Sequence, residues 1–408
     1  MGDSPQLKRA LGLPMITFYG LGTIVGGGFY ALIGKVSGEA GMLTPVAFFA
    51  AALIAMFSAF SFAELSARYP YSAGESHYVL VAFRRHWLSA VIGWMVIATG
   101  VVSAATLANA FAGFLQSFVD VPREAICVVM VVSLGAVAAW GIGESALFTF
   151  VITIVELGGL MFVFAWASPN LLTVADRWDE LVPDLDPRAW SGVFLGAYLA
   201  FYSFVGFEDM VNVAEEVKQP QRNLPIAILL SLGLTTLIYV MVTMVTVLAV
   251  PLDQLRASDS PLSLVVGGVG PLAVGITIIG MLSGVNGALV QIVMASRVAY
   301  GMAQKHQAPS TFGNVSSRTQ TPLEATFAAT VVVLVLALWF PIVTLAKVTS
   351  TILLVVYAFV NLSLICIKCR EGSQSHEGPN YPIWLPIVGL LASVAFVMFH
   401  GISMAVSP

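Results

Sequence analysis

The stretch GTIVGGGFY, Gly22 to Tyr30, decides how this chain is read. It lies inside an uncharged run that begins after Arg9 and ends before Lys35, long enough to cross a bilayer. Glycine costs roughly 1 kcal/mol against alanine inside a helix. Three consecutive glycines, Gly26, Gly27 and Gly28, therefore mark backbone that is either packed very closely or not helical at all.

The rest of the composition places this run in a membrane. Of 408 residues, 58% are hydrophobic and only 10% charged, and the mean hydropathy is +0.90. These values lie far outside the range of soluble domains and imply an integral membrane protein with the lipid bilayer as its surroundings. The net charge of -4 points to no nucleic-acid partner. The N-terminal MGDSPQLKRA leads into the first span without a small-residue cleavage site, so it is expected to be retained. Cys366 and Cys369 form a single C-x-x-C without a second pair, which reads as two ordinary thiols rather than a metal site. His77, His86, His306, His376 and His400 show no ligand spacing. No nucleophile–base set and no phosphate loop is legible, so neither an enzyme nor an ATP-driven pump is indicated, and no cofactor is expected.

Apolar runs of about 20 residues fall near 11–34, 43–66, 87–117, 124–141, 145–167, 190–214, 224–250, 265–299, 322–340, 342–367 and 383–404. The runs are long and continuous rather than alternating, which requires helices and not a barrel. With the N-terminus inside, the inner segments hold Lys8, Arg9, Arg68, Arg84, Arg85, Lys218, Arg222, Arg297, Lys305, Arg318, Lys368 and Arg370. The outer ones hold Lys35, Arg123, Arg177, Arg188 and Arg256, with Lys347 near an outer helix end. By the positive-inside rule the N-terminus is expected in the cytoplasm, with the protein in the plasma (inner) membrane. An odd number of spans places the C-terminus outside. The outer loop ADRWDELVPDLDPR reads as a solvated acidic loop.

A second interruption answers the first. The sixth span carries AFYSFVGFED, in which Gly206 is flanked by aromatics and followed by Glu208 and Asp209. Interrupted helices at corresponding places in two halves point to an inverted-repeat transporter whose site forms where the half-helices expose backbone N–H and C=O groups. The positive end of a half-helix suits a carboxylate, and free carbonyls suit an ammonium, so the site suits a zwitterion. The competing explanation for the glycines is close helix packing of the small-xxx-small kind.

At this point four segments carry a family resemblance. FVGFEDMVNVAEEVKQPQRNLPIAI, Phe204 to Ile228, resembles the sixth helix and following loop of amino acid permeases in the amino acid-polyamine-organocation superfamily. GTIVGGGFY is similar to that family's first-helix pattern, AELSARYPYSAGESHY (Ala63 to Tyr78) to its second-to-third helix loop, and ASRVAYGMAQKHQAPSTFGNVSSRTQTP (Ala295 to Pro322) to the loop after its eighth helix. The resemblance implies an all-α, LeuT-type bundle of two inverted five-helix repeats plus one additional helix. Its expected layout is one transmembrane domain over 1–408, with repeat one at about 11–167, repeat two at about 190–367 and the extra helix at about 383–404. Many relatives have twelve helices, against eleven here, so the oligomeric state stays open. In many relatives a lysine, standing where sodium-coupled transporters hold a cation, occupies the place of Glu156.

The candidate substrate-binding residues are Thr23, Ile24, Gly26, Gly27 and Gly28 from the first span and Tyr202, Ser203, Phe204, Gly206 and Phe207 from the sixth. Aromatics beside the break either cover a substrate or simply pack. Thr99, Ser103, Asn286 and Gln291 are candidate wall residues. Glu156 and Glu208 are candidates for coupling or gating. An acid within a span costs on the order of 3 kcal/mol, so it signals a function or a partner. Glu156 has apolar neighbours and no basic residue within a turn, which makes its protonated form the least costly. It reads either as a proton or cation coupling group or as a protonated structural bond, and Glu208 either as a gate or as a helix-end cap. Glu215, Glu216, Lys218 and Arg222 read as a charge cluster that either pairs across the inner gate or forms a solvated loop, and Glu64 is read likewise.

The function expected is secondary active amino acid transport by alternating access, for a small neutral amino acid, with protons or another coupling ion, or by amino acid exchange. A cationic amino acid or polyamine, with Glu156 or Glu208 as counter-charge, is the second reading. A non-transporting amino acid sensor or a channel is the reading of another class.

Overall fold

The structure, a computed structural model, describes residues 11–71, 74–140, 146–182, 187–316, 319, 321–371 and 378–406. Lys8, Arg9, Asp184, Asp186, Arg318 and His376 lie outside the described residues. The helices in chain order are α1 (Leu13–Val25), α2 (Gly27–Ala40), α3 (Thr44–Arg68), α4 (Gly74–Phe83), α5 (His86–Gln116), α6 (Arg123–Trp140), α7 (Ala146–Ala167) and α8 (Trp178–Leu181). They continue as α9 (Pro187–Ala200), α10 (Pro220–Ala249), α11 (Leu252–Ala257), α12 (Pro261–Val265), α13 (Pro271–Gln304), α14 (Leu323–Trp339), α15 (Ile342–Glu371) and α16 (Trp384–Val406). Tight 3-10 segments at Phe201–Phe204 and Glu208–Glu216 prolong α9. Prolines stand in the first turns of α1, α3, α10, α12 and α13, where a missing N–H costs nothing and a fixed φ suits the helix.

Among the described residues, nine helical stretches are long and apolar enough to cross a membrane, and Leu13–Val25 and Leu323–Trp339 are shorter apolar helices. One stretch, 28–68, is folded back at Gly41, whose φ is 59°. With α1 and α2 taken as one broken span, all eleven sequence segments find their helices. The sequence reading assigned no helix between the second and third spans, yet α4 forms there and packs on α5 and α15. The eighth span begins at Pro271 and runs on to Gln304, a few residues beyond the expected end at 299.

Spans five apart pack together: α3 on α10, α5 on α13, α6 on α14, and α2 on α9. This is the pairing that two inverted five-helix repeats produce, and the fold is the LeuT-type inverted-repeat bundle with α16 added outside, against α15 and α3. Large apolar side chains such as Trp87, Val129, Phe327 and Leu391 remain exposed on the outer surface, as a chain solvated by lipid requires.

The two ends of the bundle differ. At the end that gathers Arg68, Lys305, Lys368 and Arg370, Glu64 is fully buried and pairs with Arg68 at 2.5 Å and Lys368 at 2.8 Å. The backbone N–H of Tyr381 donates to the same carboxylate at 2.9 Å. The start of α1 is tied to the segment after the sixth span by two backbone bonds, Leu11 N–H to Glu216 O at 3.0 Å and Lys218 N–H to Leu11 O at 2.8 Å. At the opposite end α11 closes on α2. A Cβ at Gly34 would stand 2.2 Å from Leu255 O, while Lys35 pairs with Asp259 at 3.6 Å and donates to Arg256 O at 3.1 Å.

Candidate substrate site at the crossing of two broken helices

The first break is one residue long. α1 ends at Val25, Gly26 is extended at φ -40° and ψ 175°, and Gly27 already opens α2. The sequence run of three glycines therefore divides its work. Gly26 is the break, and Gly28 admits the Tyr202 ring, which a Cβ there would meet at 2.8 Å. In the sixth span Val205 is extended and Gly206 has φ 126°, a conformation that side chains rarely adopt. A Cβ at Gly206 would lie 2.4 Å from Thr23 O. The two breaks are in direct backbone contact, and Thr23 Oγ1 donates to Gly206 O and Gly20 O, both at 3.0 Å.

Breaking a helix frees N–H and C=O groups that must be satisfied when buried. Tyr239 Oη donates to Ile24 O at 3.0 Å. Gly206 N–H donates to Glu208 Oε2 at 3.0 Å, and Tyr357 Oη donates to the same oxygen at 2.8 Å. Glu208 thus holds the second break through its carboxylate. The N-terminus of α2 is different: its cap, Gly26, supplies no side-chain bond.

That uncapped N-terminus borders a cavity that offers about 30 Å³ to the centre of a water-sized sphere. Gly22, Thr23, Ile24, Gly26 and Gly28 form one wall, Tyr202 and Val205 a second. Ser103 and Leu107 of α5 and Asn286, Gly287, Val290 and Gln291 of α13 form the third. Of the residues read from sequence, the cavity brings together Thr23, Ile24, Gly26, Gly28 and Tyr202. Gly206 stands behind them against Thr23. Phe204 instead packs on Phe48 and Tyr239, and Phe207 on Phe62 and Tyr357. Ser203 Oγ is buried without a partner outside the lining. Gly27 opens α2, and its surroundings lie outside what is described. Ser103, Asn286 and Gln291 line the cavity; Thr99 does not, being bonded to Met95 O at 3.0 Å. Sequence reading missed Val205, Leu107 and Val290 as wall and Tyr239 and Tyr357 as break-holders, since apolar and aromatic residues in a span carry no positional signal.

Glu156 on α7 is fully buried beside this site but does not line the cavity. Tyr30 Oη donates to its backbone carbonyl at 2.7 Å, yet neither carboxyl oxygen has a hydrogen-bond partner. Ser283 of α13 lies near it, and the Ser283 Oγ is likewise unpaired.

Towards the basic end lies a larger cavity of about 500 Å³, which shares Val290 with the small one. Glu75, Asp209 and Glu216 face it on one side and Arg297 and Lys305 of α13 on the other. Gln291 Nε2 of the small cavity's wall donates to Asp209 Oδ2 of the larger one's at 3.1 Å. Burial in α4, outside the spans, pushes the Glu75 carboxyl up to about 8, with the nearby Glu208 charge adding to the effect. Among the described residues, no group of His, Cys, Asp and Glu is arranged to hold a metal ion.

The profile of the amino acid permease family matches residues 11–407. A cationic amino acid transporter of Arabidopsis thaliana is 28% identical over 94% of this chain and 68% of its own length. The branched-chain amino acid permease BcaP of Bacillus subtilis is 27% identical over 97% of this chain and 89% of its own. In structure, a mutant of the manganese transporter of Eremococcus coleocola superposes with a TM-score of 0.66 at 12% identity, covering 95% of this chain and 86% of that one. The agreement of that superposition with the span pairing supports the fold, and the profile match runs through both broken helices. The chain is a multi-pass membrane protein that belongs to the amino acid permease family.

Proposed function

We propose that this protein is a secondary amino acid transporter that holds its substrate at the crossing of the first and sixth spans and alternates access around it. The observation that carries the proposal is the N-terminus of α2, begun at the Gly26 break, opening on a small cavity where two broken helices touch. The first N–H groups of a helix and its positive end favour an α-carboxylate. The contrast between a closed end at Lys35–Asp259 and a 500 Å³ cavity at the basic end is consistent with one state of an alternating cycle, open on the side assigned to the cytoplasm by the positive-inside rule.

A small neutral amino acid fits the glycine wall and the modest volume. The relatives named for cationic amino acids support the second reading. Against it, neither Glu156 nor Glu208 lines the central cavity, and Glu208 is engaged by Gly206 and Tyr357. Glu156 is proposed as the coupling group. Its side chain is fully buried, and neither carboxyl oxygen has a hydrogen-bond partner. Loading and releasing one proton there would link its charge to the packing of α7 on α1. Uptake and counterflow in proteoliposomes, with a radiolabelled amino acid panel and with or without a pH gradient, test the proposal. Exchange of at least one amino acid is expected. Binding without flux would replace the transporter by a sensor, and neither binding nor flux would remove both.

A further inference from the structure

We infer that Asn286 of α13 reads the substrate side chain, and that the preferred substrate is a small amino acid carrying a hydroxyl, of the serine and threonine class. The inference rests on the transport reading above and adds the chemistry of the cargo. Five polar side chains border the central cavity: Thr23, Ser103, Tyr202, Asn286 and Gln291. Four of them are already occupied. Thr23 is spent on Gly20 O and Gly206 O. Ser103 Oγ and Tyr202 Oη bond each other at 3.0 Å, and Tyr202 also reaches Ser103 O at 3.2 Å. Gln291 gives its amide hydrogen to Asp209, and its Oε1 is sealed in packing.

Asn286 is the exception. It is only 4% exposed and lines the cavity, and its amide takes part in none of the hydrogen bonds found among the described residues. It is not sealed in packing as Gln291 Oε1 is, and its opening is the cavity. A primary amide has two donors and an acceptor, and a bound substrate that displaces water without pairing them incurs a cost. A group that both donates and accepts would satisfy this amide, and a hydroxyl is the smallest that does so.

The placement argues for side-chain reading rather than main-chain binding. The α-carboxylate is assigned to the α2 N-terminus on the first-span wall, while Asn286 lies on the third wall, near Leu107 and Gly287. With Ile24, Leu107, Val205 and Val290 forming the rest of that space, the amide is its one polar side-chain group without a partner among the described residues. Threonine and valine have the same shape and differ in one group. A smaller apolar residue such as alanine leaves room for a water to bond the amide, whereas valine occupies that room. A site built to hydrogen-bond a hydroxyl rejects the analogue that lacks it.

The test is exchange of radiolabelled threonine and valine in the same proteoliposome preparation, so that their ratio is independent of how much protein is folded. Threonine is expected to exchange at least tenfold better, the equivalent of about 1.4 kcal/mol for one hydrogen bond. In Asn286→Leu the ratio should fall to within about twofold of one. Stabilisation of the detergent-solubilised protein by each amino acid, read as the shift in Tm, gives the same comparison for a variant that reconstitutes poorly. A wild-type ratio near one, or a ratio unchanged in Asn286→Leu, overturns the inference while other amino acids still exchange. If no amino acid exchanges or stabilises the protein, the transport reading falls and takes this inference with it.

Discussion

Replacing Gly206 by alanine isolates the contact on which the site depends. The added Cβ would stand 2.4 Å from Thr23 O, 2.6 Å from the Thr23 carbonyl carbon and 3.0 Å from Ile24 N, all backbone atoms without a flexible end to yield. An ordinary contact requires the two breaks to separate by about 1 Å. Alanine at φ 126° adds strain of about 1–3 kcal/mol, and separation weakens the Thr23 to Gly206 hydrogen bond, worth about 1 kcal/mol. The combined cost is about 3 kcal/mol, which at 1.4 kcal/mol per decade is roughly a hundredfold loss. The assay is substrate-dependent stabilisation and counterflow for wild type, Gly206→Ala and the control Gly233→Ala. Gly233 sits in α10 with nothing within 4 Å of a built Cβ, so alanine there should be neutral or stabilising by up to about 1 kcal/mol. Gly206→Ala with affinity and Tm within error of wild type would refute the reasoning, because the two breaks would then not be held in contact.

Three further outcomes are expected. Glu156→Gln should abolish the pH dependence of substrate accumulation while preserving assembly, and an unchanged pH profile would remove Glu156 from coupling. Glu75 is held near 8 when folded, against 4.5 when exposed, so its neutral form is favoured by folding. The sign follows: the contribution is intact below pH 4.5 and is lost as pH rises to 8, at 1.36 kcal/mol per pH unit, about 5 kcal/mol in all. Glu75→Gln should therefore flatten the fall of Tm between pH 5 and 8, and an identical slope would show that Glu75 is not buried as described. Tyr357→Phe removes the hydroxyl that donates to Glu208 at 2.8 Å; a loss of about 1.5–3 kcal/mol is expected for a bond to a carboxylate, read as a lower Tm, and a Tm equal to wild type would mean that Glu208 is held by Gly206 alone.

What sequence determined by itself was the solvent and the plan. Long apolar runs dictate helices because lipid offers the backbone no hydrogen bonds, and two glycine interruptions five spans apart dictate where those helices open. Eleven spans, the broken first and sixth helices and the family were legible for that reason. Periodicity says little about rotation here, because a helix surrounded by apolar neighbours or lipid has no polar face to orient it. Hence sequence could offer Phe204 and Phe207 as a lid, and only packing turned them onto Phe48 and Tyr357. The same limit left Asn286 and Thr99 indistinguishable. Tertiary structure separated them by giving Thr99 a carbonyl within its own helix and leaving Asn286 facing the cavity without a partner. Only the tertiary structure showed that GTIVGGGFY breaks at Gly26 alone, since what forces the other glycine, Gly28, is the Tyr202 ring arriving from a span far away in sequence.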